Sequence, residues 1–247
     1  MAEHHDNDDP DDIEIRVVDT PVDLRRLVVL LNQVWGTITP LVGVELLRAL
    51  GYTGAYVAGA FSDNRMVGGS LGFLGRHNGE LVLHSHVTGI LPGVRKTGLG
   101  RQMKLHQRQW AAEQGLDTIV WTFDPLVRRN AWFNVGVLGA SVDAYLVDFY
   151  GPMADSVNGR DPSDRLLVAW STSGPLPATD HLPVVPPGTI AVPTPNDIVV
   201  LRRTDPAAAS GWRLRLREEL GAPLTDGAKV VGFTRQGDYL VLPVPES

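Results

Sequence analysis

The segment Pro92–Gly100 constrains this chain more than any other feature of its sequence. It reads Pro-Gly-Val-Arg-Lys-Thr-Gly-Leu-Gly and lies between an alternating apolar stretch typical of a strand and a stretch typical of a helix, which stops at Gly115. Gly98 and Gly100 let an anion approach the backbone without meeting a Cβ atom. Unpaired N–H groups at a helix start, together with the helix dipole, favour phosphate. Nearby positive charge comes from Arg95, Lys96 and Arg101.

Two common phosphate-binding motifs do not fit this segment. A Walker A loop continues its second glycine with Lys and then Ser or Thr, whereas Leu99 and Gly100 follow Gly98 here. A dinucleotide-binding fingerprint needs a third glycine at the position that Met103 occupies. The remaining alternative to a phosphate loop is a plain strand–helix connection, in which the glycines serve tight packing alone.

The hydrophobic pattern predicts an ordered series of strands and helices over residues 13–172. Stretches typical of strands occupy residues 13–18, 55–61, 66–74, 81–91, 118–123, 141–149 and 166–170. Helical spacing is found at residues 21–35, 43–50, 99–114 and 126–138. Up to residue 149 the predicted order is therefore β-α-α-β-β-β-α-β-α-β, and the strand at residues 166–170 follows it.

A proline-rich stretch separates this region from the rest of the chain. Residues 173–188 contain prolines at positions 175, 177, 183, 186 and 187, which favour an extended linker. Further strands are predicted at residues 190–192, 198–202, 230–233 and 239–242, the last two as a hairpin, with a helix from 205 to 220. Because Trp212, Leu216 and Leu220 share one helix face, we expect residues 189–247 to form a small α+β appendage. It packs either on the first domain or on a partner chain, which would make a homodimer.

Charge and composition argue against several classes of protein. Six of the 28 acidic residues lie within residues 1–12, and the other 22 equal the number of Lys and Arg residues. We therefore expect a disordered acidic tail and a nearly neutral body, unlike the basic surface of a nucleic-acid-binding protein. The chain has no cysteine, no apolar run of membrane-spanning length and no signal-peptide pattern. The sequence thus predicts a cytoplasmic protein that binds neither nucleic acid nor membrane.

Two kinds of catalytic site also lack their residues. Three scattered histidines, His77, His106 and His181, have no carboxylate at ligand spacing, so no metal site is predicted. A Gly-x-Ser-x-Gly elbow is missing, so a hydrolase of that type would have no nucleophile.

The order of predicted elements and the loop together resemble the GNAT superfamily of CoA-dependent N-acyltransferases. The loop of that family reads Arg or Gln, two residues, Gly, one residue, then Gly or Ala, with a proline three positions before the Arg. Pro92, Arg95, Gly98 and Gly100 match this pattern. Stretches that resemble one branch of the family lie at residues 84–86, 121–125, 130–134 and 149–151. The resemblance covers about residues 13–172 and implies an α/β fold with a mixed central sheet flanked by helices.

The resemblance implies acetyl-CoA or another acyl-CoA as co-substrate. In the family, the loop binds pyrophosphate, the end of the preceding strand binds the pantetheine arm, and an Asn and aromatic residues of a later helix line the CoA groove. Carried over by position, these roles fall on Arg95, Lys96, Thr97, Gly98, Leu99, Gly100 and Arg101 in the loop, on Thr88, Gly89, Ile90 and Leu91 in the strand, and on Asn130, Phe133 and Asn134 in the helix. Ordinary surface amides are the alternative for the two asparagines.

Acyl transfer also needs a base that removes a proton from the acceptor amine. Strand alternation predicts that Glu80, His84 and His86 share the more polar face of the strand, while residues 81, 83, 87 and 91 face the core. We select His86, because imidazole titrates near neutrality and this residue lies nearer the loop. His84 then supports it or lines the acceptor pocket. Glu80 is the reserve candidate, since the family often uses a carboxylate on this strand, and two structural histidines are the alternative.

Two positions outside this strand bear on the chemistry. Asp124, at the end of the strand 118–123, either orients a histidine or binds the substrate amine, or, because Pro125 follows, serves as a turn or cap residue. Many members of the family carry a Tyr four residues before the glycine that ends the next helix, as proton donor to the thiolate. If Gly139 is that glycine, the position holds Val135 here. The substitutes available in the sequence are Tyr145 and Tyr150.

These features predict an acyl-CoA-dependent N-acyltransferase that moves an acetyl or small acyl group to the amine of a small metabolite such as an amino acid. The alternative is a catalytically silent acyl-CoA-binding sensor or scaffold module, which the absence of the usual Tyr favours.

Overall fold

The helices and strands follow one another largely as the sequence predicts. The computed structural model of the chain describes residues 13–37, 40–94, 97–151, 161–177 and 185–245. The strands are β1 (Glu14–Val17), β2 (Tyr56–Ser62), β3 (Arg65–His77), β4 (Glu80–Ile90), β5 (Thr118–Phe123), β6 (Ser141–Leu146), β7 (Arg165–Ser171), β8 (Ile190–Pro193), β9 (Lys229–Phe233) and β10 (Asp238–Leu242). The helices are α1 (Pro21–Trp35), α2 (Val44–Tyr52), α3 (Leu99–Glu113), α4 (Arg128–Ala131), α5 (Ile198–Thr204), α6 (Pro206–Leu216) and α7 (Ala222–Thr225). Two π-helical segments, Trp132–Val137 and Arg217–Gly221, continue α4 and α6.

Local chemistry determines where α1 begins and ends. The side chain of Thr20 accepts the backbone N–H of Asp23 at 3.1 Å, and Pro21 occupies the first turn, where a helix does not need an N–H donor. Gly36 ends the helix in the left-handed conformation. The predicted apolar face is buried through Leu24, Leu27 and Leu31.

Seven strands form one mixed sheet in the order β1-β2-β3-β4-β5-β7-β6. The pairs β1–β2, β2–β3, β5–β7 and β6–β7 are antiparallel. β4 and β5 run parallel and pair at Leu83–Ile119 and His84–Val120. The predicted α/β fold with a mixed central sheet flanked by helices is therefore confirmed.

The chain divides into two compact units, and the first contains Met1–Leu74 and Ser85–Trp110. Its larger apolar cluster joins the buried leucines of α1 to Leu47 of α2 and to β2 and β3. A smaller cluster joins Leu99 and Met103 of α3 to Ala60 and Val67. The helix that follows the predicted phosphate loop is thus anchored on the strands by two side chains of its first two turns.

The second unit contains Gly75–His84 and Ala111–Ser247. Besides its part of the large sheet, it has a three-stranded antiparallel sheet in the order β8-β10-β9. This sheet contains the predicted hairpin and confirms the small α+β appendage. Leu216 and Leu220 are buried as expected, and Trp212 is half-buried. Next to them, the backbone of Gly221 packs on the ring of Tyr145 in β6.

The prediction of a strand at residues 198–202 is wrong, because Ile198–Thr204 form helix α5. The carboxylate of Asp197 accepts the backbone N–H groups of Val199 and Val200, each at 3.0 Å, and so caps the helix. The run of β-branched residues favours a strand by propensity, but the N-cap and the burial of Ile198 override it.

Three predicted boundaries also shift. Strand β6 ends at Leu146 rather than at Phe149, since the chain turns through Asp148, which has a positive φ of 46°. Helix α2 continues past Gly51 to Tyr52. The helix predicted at residues 126–138 begins only at Arg128, after a turn.

Candidate functional site

The connection between β4 and α3 is a tight, ordered turn at both of its described ends. Pro92–Val94 form a single 3-10 turn, in which Val94 donates its N–H to the Leu91 carbonyl at 3.2 Å. Thr97 then bonds back through its hydroxyl to the Val94 carbonyl at 2.8 Å. The two cationic loop residues of the sequence prediction, Arg95 and Lys96, lie outside the described residues.

Gly98 gives the loop the geometry that an anion site needs. Its φ is 82°, which side-chain-bearing residues rarely adopt, and no described atom lies within 4 Å of the position that a Cβ would take. Its carbonyl accepts the N–H groups of Arg101 and Gln102 at 2.9 and 3.2 Å, which starts the helix. Leu99 is fully buried, so the backbone at the helix start is fixed. The space over Gly98 is thus open at the N-terminus of a 15-residue helix.

Arg101 adds an observation that sequence patterns cannot give. The side chain is half-buried, and its Nε is buried without a hydrogen-bond partner among the described residues. A buried donor without an acceptor costs free energy, so a partner from outside the chain would stabilise this end of the helix.

The candidate residues of β4 differ in exposure. Glu80 is exposed at the start of the strand, and His84 is half-buried and pairs its backbone with that of Val120. His86 is exposed, with its ring tilted against Phe73 at a centroid distance of 5.5 Å. Desolvation lowers the pKa of His86 below its ordinary value, so the imidazole is more fully neutral at pH 7 than a free histidine.

Strict alternation of faces along β4 is wrong. Leu81, expected in the core, is 49% exposed, whereas Val82 on the supposed polar face is buried. Farther along, Ser85 and Thr88 belong to one hydrogen-bond network although they lie three positions apart. A regular strand would direct them to opposite faces, so the strand is irregular between these two residues.

That network is built around Lys104 of α3, which sequence reasoning missed. The Lys104 ammonium donates to Ser85 Oγ at 2.8 Å and to Gln107 Oε1 at 3.1 Å. Gln107 donates to Ser70 Oγ at 3.4 Å, and Ser70 and Thr88 share a hydrogen bond at 2.9 Å. Lys104 is buried, and burial lowers its pKa to about 7. The sign of this network in the sequence is the position of Lys104 and Gln107, which share the buried face of α3.

The pantetheine-binding candidates have close neighbours in the first unit. Thr88 bonds to Ser70, and Leu91 donates its N–H to the Val67 carbonyl at 3.0 Å. A side chain at Gly89 would meet the ring of Trp35 at 2.7 Å, so only glycine fits there. Ile90 contacts the cluster that contains Leu99, which brings the strand end and the helix start together.

Asp124 lies in the turn between β5 and α4. It is buried, accepts the backbone N–H of Leu126 at 2.9 Å and pairs with the guanidinium of Arg202 at 2.5 Å. Arg202 also donates to Asp161 at 3.0 Å. The sequence could predict the turn, but the ion pair joins residues 78 positions apart and has no local signature.

The candidates on α4 do not repeat at ordinary helical spacing. Asn130 is half-buried in the α-helical part, whereas Phe133 and Asn134 lie in the π-helical segment. The Asn134 side chain is buried and accepts the indole N–H of Trp121 at 3.2 Å. This bond fixes the segment against β5.

The two tyrosines considered as proton donors have different surroundings. Tyr145 donates to the Asp164 carboxylate at 2.8 Å, and burial and the charge of Asp164 raise its pKa. Tyr150 is exposed, shares a hydrogen bond with Thr122 at 3.1 Å and has the guanidinium of Arg165 over its ring at 5.4 Å. The Tyr150 hydroxyl is therefore the more accessible of the two.

Two further features are absent from the part of the chain that the structure describes. It contains no group of three or more metal-ligating side chains. No helix within it is long and apolar enough to cross a membrane.

Comparison with known proteins identifies the fold. No known protein-family model matches the sequence, and no curated protein matches it. Solved structures do match, among them an Escherichia coli ribosomal-protein-S18-alanine N-acetyltransferase, at 15% identity and a TM-score of 0.51 over 69% of this chain and 98% of that one. A Salmonella typhimurium protein assigned as an acetyltransferase, solved with its cofactor acetyl-CoA, gives 15% identity and a TM-score of 0.54 over 69% and 99%.

A third structure carries the family name. A Desulfovibrio desulfuricans protein assigned to the GNAT family of acetyltransferases matches at 16% identity and a TM-score of 0.51, over 65% of this chain and 99% of that one. Nearly the whole of each solved structure is therefore matched by about two thirds of this chain. The chain has the GNAT acetyltransferase fold, as its sequence predicts.

Proposed function

We propose that this protein is an acyl-CoA-dependent N-acyltransferase that moves an acetyl or small acyl group to the amine of a small metabolite such as an amino acid. The observation that carries the proposal is the Gly98 turn, with its positive φ and open space at the start of a 15-residue helix. Backbone N–H groups at such a helix start, aided by the helix dipole, bind phosphate.

The residues fit the CoA molecule in two ways. A carboxyl, phosphate or other group over Gly98 meets no Cβ atom, and the buried Nε of Arg101 has no acceptor among the described residues. Pyrophosphate binding is assigned to residues 95–101, pantetheine binding to residues 88–91, and further contacts to Asn130, Phe133 and Asn134. Acyl-CoA supplies the activated thioester, and the chain holds and orients it.

His86 is the proposed base. It is exposed, so an amine can reach it, and its lowered pKa keeps it neutral and able to accept a proton near pH 7. His84 and Glu80 remain the alternatives on the same strand. Asp124 is less available as a base than His86, because its buried carboxylate already pairs with Arg202 and accepts the backbone N–H of Leu126.

Tyr150 is the proposed proton donor to the departing thiolate. Its hydroxyl is accessible, whereas that of Tyr145 already donates to Asp164. In this assignment Tyr150 takes the part that a Tyr at Val135 would otherwise play.

The acceptor is proposed to be small because the body of the chain beyond residue 12 carries 22 acidic and 22 basic residues, a balance that gives no net attraction for a basic protein tail. The second candidate function, a silent acyl-CoA-binding sensor, is favoured by one observation, the Val at position 135.

Two measurements together test the proposal. Release of CoA from acetyl-CoA is followed across a panel of amino acids and other small amines, and CoA binding is measured by calorimetry. Turnover with an amine supports the transferase. Binding without turnover on any amine supports the sensor, and no binding overturns both.

A paired variant tests the binding site itself. Arg95→Ala with Gly98→Asp removes a charge and places a carboxylate where phosphate is expected, so CoA affinity should fall at least about tenfold, since each charge-assisted bond contributes roughly 1.5–3 kcal/mol. Gly54→Asp is the matched control, because Gly54 also has a positive φ, of 92°, and open space. Unchanged CoA affinity in the folded double variant overturns the assignment.

A further inference from the structure

The turn between β5 and α4 is held from the C-terminal segment, which we define as residues 190–245. Arg202 of α5 binds the Asp124 carboxylate at 2.5 Å. Tyr239 of β10 donates its hydroxyl hydrogen to the Pro125 carbonyl at 2.9 Å. Two consecutive residues of the turn, one by its side chain and one by its backbone, are thus bound by separate elements of this segment.

Arg128, the first residue of α4, is held by the same segment. Its guanidinium donates to Thr194 Oγ1 at 3.2 Å, to the Thr194 carbonyl and to Asn196 Oδ1 at 2.7 Å. Thr194 in turn donates to the Gly237 carbonyl at 2.6 Å. A Cβ atom at Gly237 would lie 2.0 Å from Arg128 Nε, so the guanidinium packs directly on this backbone.

Burial makes these contacts specific. The side chains of Asp124 and Arg202 are each 6% exposed, and Tyr239 is fully buried. In such surroundings an unpaired charge or donor is costly, so the turn has one favoured arrangement in which all three contacts are made. Burial also raises the pKa of Tyr239, so its hydroxyl keeps its proton and remains a donor.

We propose that the C-terminal segment acts as a clamp that positions the Asp124–Arg128 turn for acyl transfer, with Arg202, Tyr239 and Arg128 as positioning residues. The inference rests on the proposed function, in which α4 carries the CoA-binding candidate Asn130. The turn directly precedes that helix, so the clamp sets where α4 starts. The appendage is then part of the catalytic machinery of the second unit.

The test uses the full-length protein and removes one oxygen atom. Tyr239→Phe deletes the bond to Pro125 and keeps the ring. Tyr56→Phe is the matched control, since Tyr56 is equally buried and its hydroxyl bonds to His106 at 2.9 Å, a contact within the first unit. Amide hydrogen exchange over residues 124–131, kcat, and the KM values for acyl-CoA and amine are measured for each variant.

We expect Tyr239→Phe to speed exchange in residues 124–131 and to lower kcat by about tenfold, since small misplacements near a reacting centre are costly. The affinity for CoA should fall by less than the roughly tenfold effect of one lost strong contact, because Asn130 is displaced while the residues 95–101 loop keeps its own contacts. Tyr56→Phe should leave exchange over residues 124–131 and kcat unchanged. Arg202→Gln should behave like Tyr239→Phe, with Arg202→Lys restoring part of the rate because it keeps the charge.

Three results would overturn the clamp. The first is unchanged amide exchange in both Tyr239→Phe and Arg202→Gln, and the second is faster exchange in these variants with unchanged kinetics. The third is a loss of kcat in Tyr56→Phe as large as that in Tyr239→Phe when the two variants have lost the same thermal stability. The exchange measurement needs no turnover. Failure of the proposed function can therefore be recognised separately. In that case the wild-type protein shows no acyl transfer, while amide exchange in the turn is still faster in the variants.

Discussion

The buried Lys104 makes a quantitative prediction about the pH dependence of stability. Burial lowers its pKa from 10.5 to about 7 in the folded protein, while the unfolded chain keeps the ordinary value. Between these two values the unfolded state binds more protons than the folded state, so stability rises as pH rises through this window. Below pH 7 both states are protonated, and the destabilising effect of the buried charge is fully present.

The magnitude follows from the size of the shift. One pKa unit corresponds to about 1.4 kcal/mol, so the full window contributes about 5 kcal/mol, and the interval from pH 7 to pH 9 contributes about 2 kcal/mol. Lys104→Met removes the titrating group and roughly keeps the volume. It also leaves Ser85 Oγ and Gln107 Oε1 without this donor, at a cost that does not depend on pH in this range.

Urea unfolding followed by tryptophan fluorescence at pH 7, 8 and 9 measures the effect. Between pH 7 and pH 9, the free energy of unfolding of the wild type should rise by about 2 kcal/mol more than that of Lys104→Met. Lys229→Met, at an exposed lysine, is the control and should run parallel to the wild type. Parallel pH profiles for the wild type and Lys104→Met would refute the reasoning.

Three further predictions concern activity and the appendage. His86→Gln should lower kcat by roughly 10²-fold and abolish the acid limb of the pH–rate profile. In the wild type this limb lies below the ordinary histidine pKa, because the pKa of His86 is lowered. An unchanged pH–rate profile in the variant would assign the base to another residue. Tyr150→Phe should lower kcat by about tenfold with the KM for acyl-CoA unchanged, and steady-state kinetics that show no change would exclude it as the proton donor. Cutting the chain after Thr172 should cause aggregation or a lower Tm, checked by light scattering and calorimetry, whereas a soluble and equally stable fragment would contradict the docked segment.

The sequence predicts those parts of the fold whose signals are local. Thr20 and Pro21 start α1, the Gly98 turn starts α3, and the turn before Tyr239 joins the last hairpin, because each depends on a cap or on backbone conformation within a few residues. Helix α5 is the instructive failure. Its Ile-Val-Val run favours a strand, and only the N-cap signal of Asp197 favours the helix that forms.

The candidate site is harder to predict from the sequence than the fold, because its side chains come together only through tertiary structure. The pairing of Asp124 with Arg202 joins two segments that carry no common motif. The network around Lys104 needs β3, β4 and α3 in place before a lysine can be buried there. Alternation along β4 fails for the same reason, since the irregularity between Ser85 and Thr88 is a property of the packed strand.

The bond from Tyr239 to Pro125 has a consequence for the order in which the protein matures during synthesis. The two residues are 114 positions apart, and the ribosome makes the chain from its N-terminus. The described elements of the first unit are complete once α3 has been made to Glu113, whereas the β5–α4 turn receives its last partner only when Tyr239 of β10 has been made. Nascent or prematurely terminated chains that stop before Tyr239 would expose a finished first unit beside an unfinished second one. Such chains are the species that we expect chaperones to retain and proteases to remove.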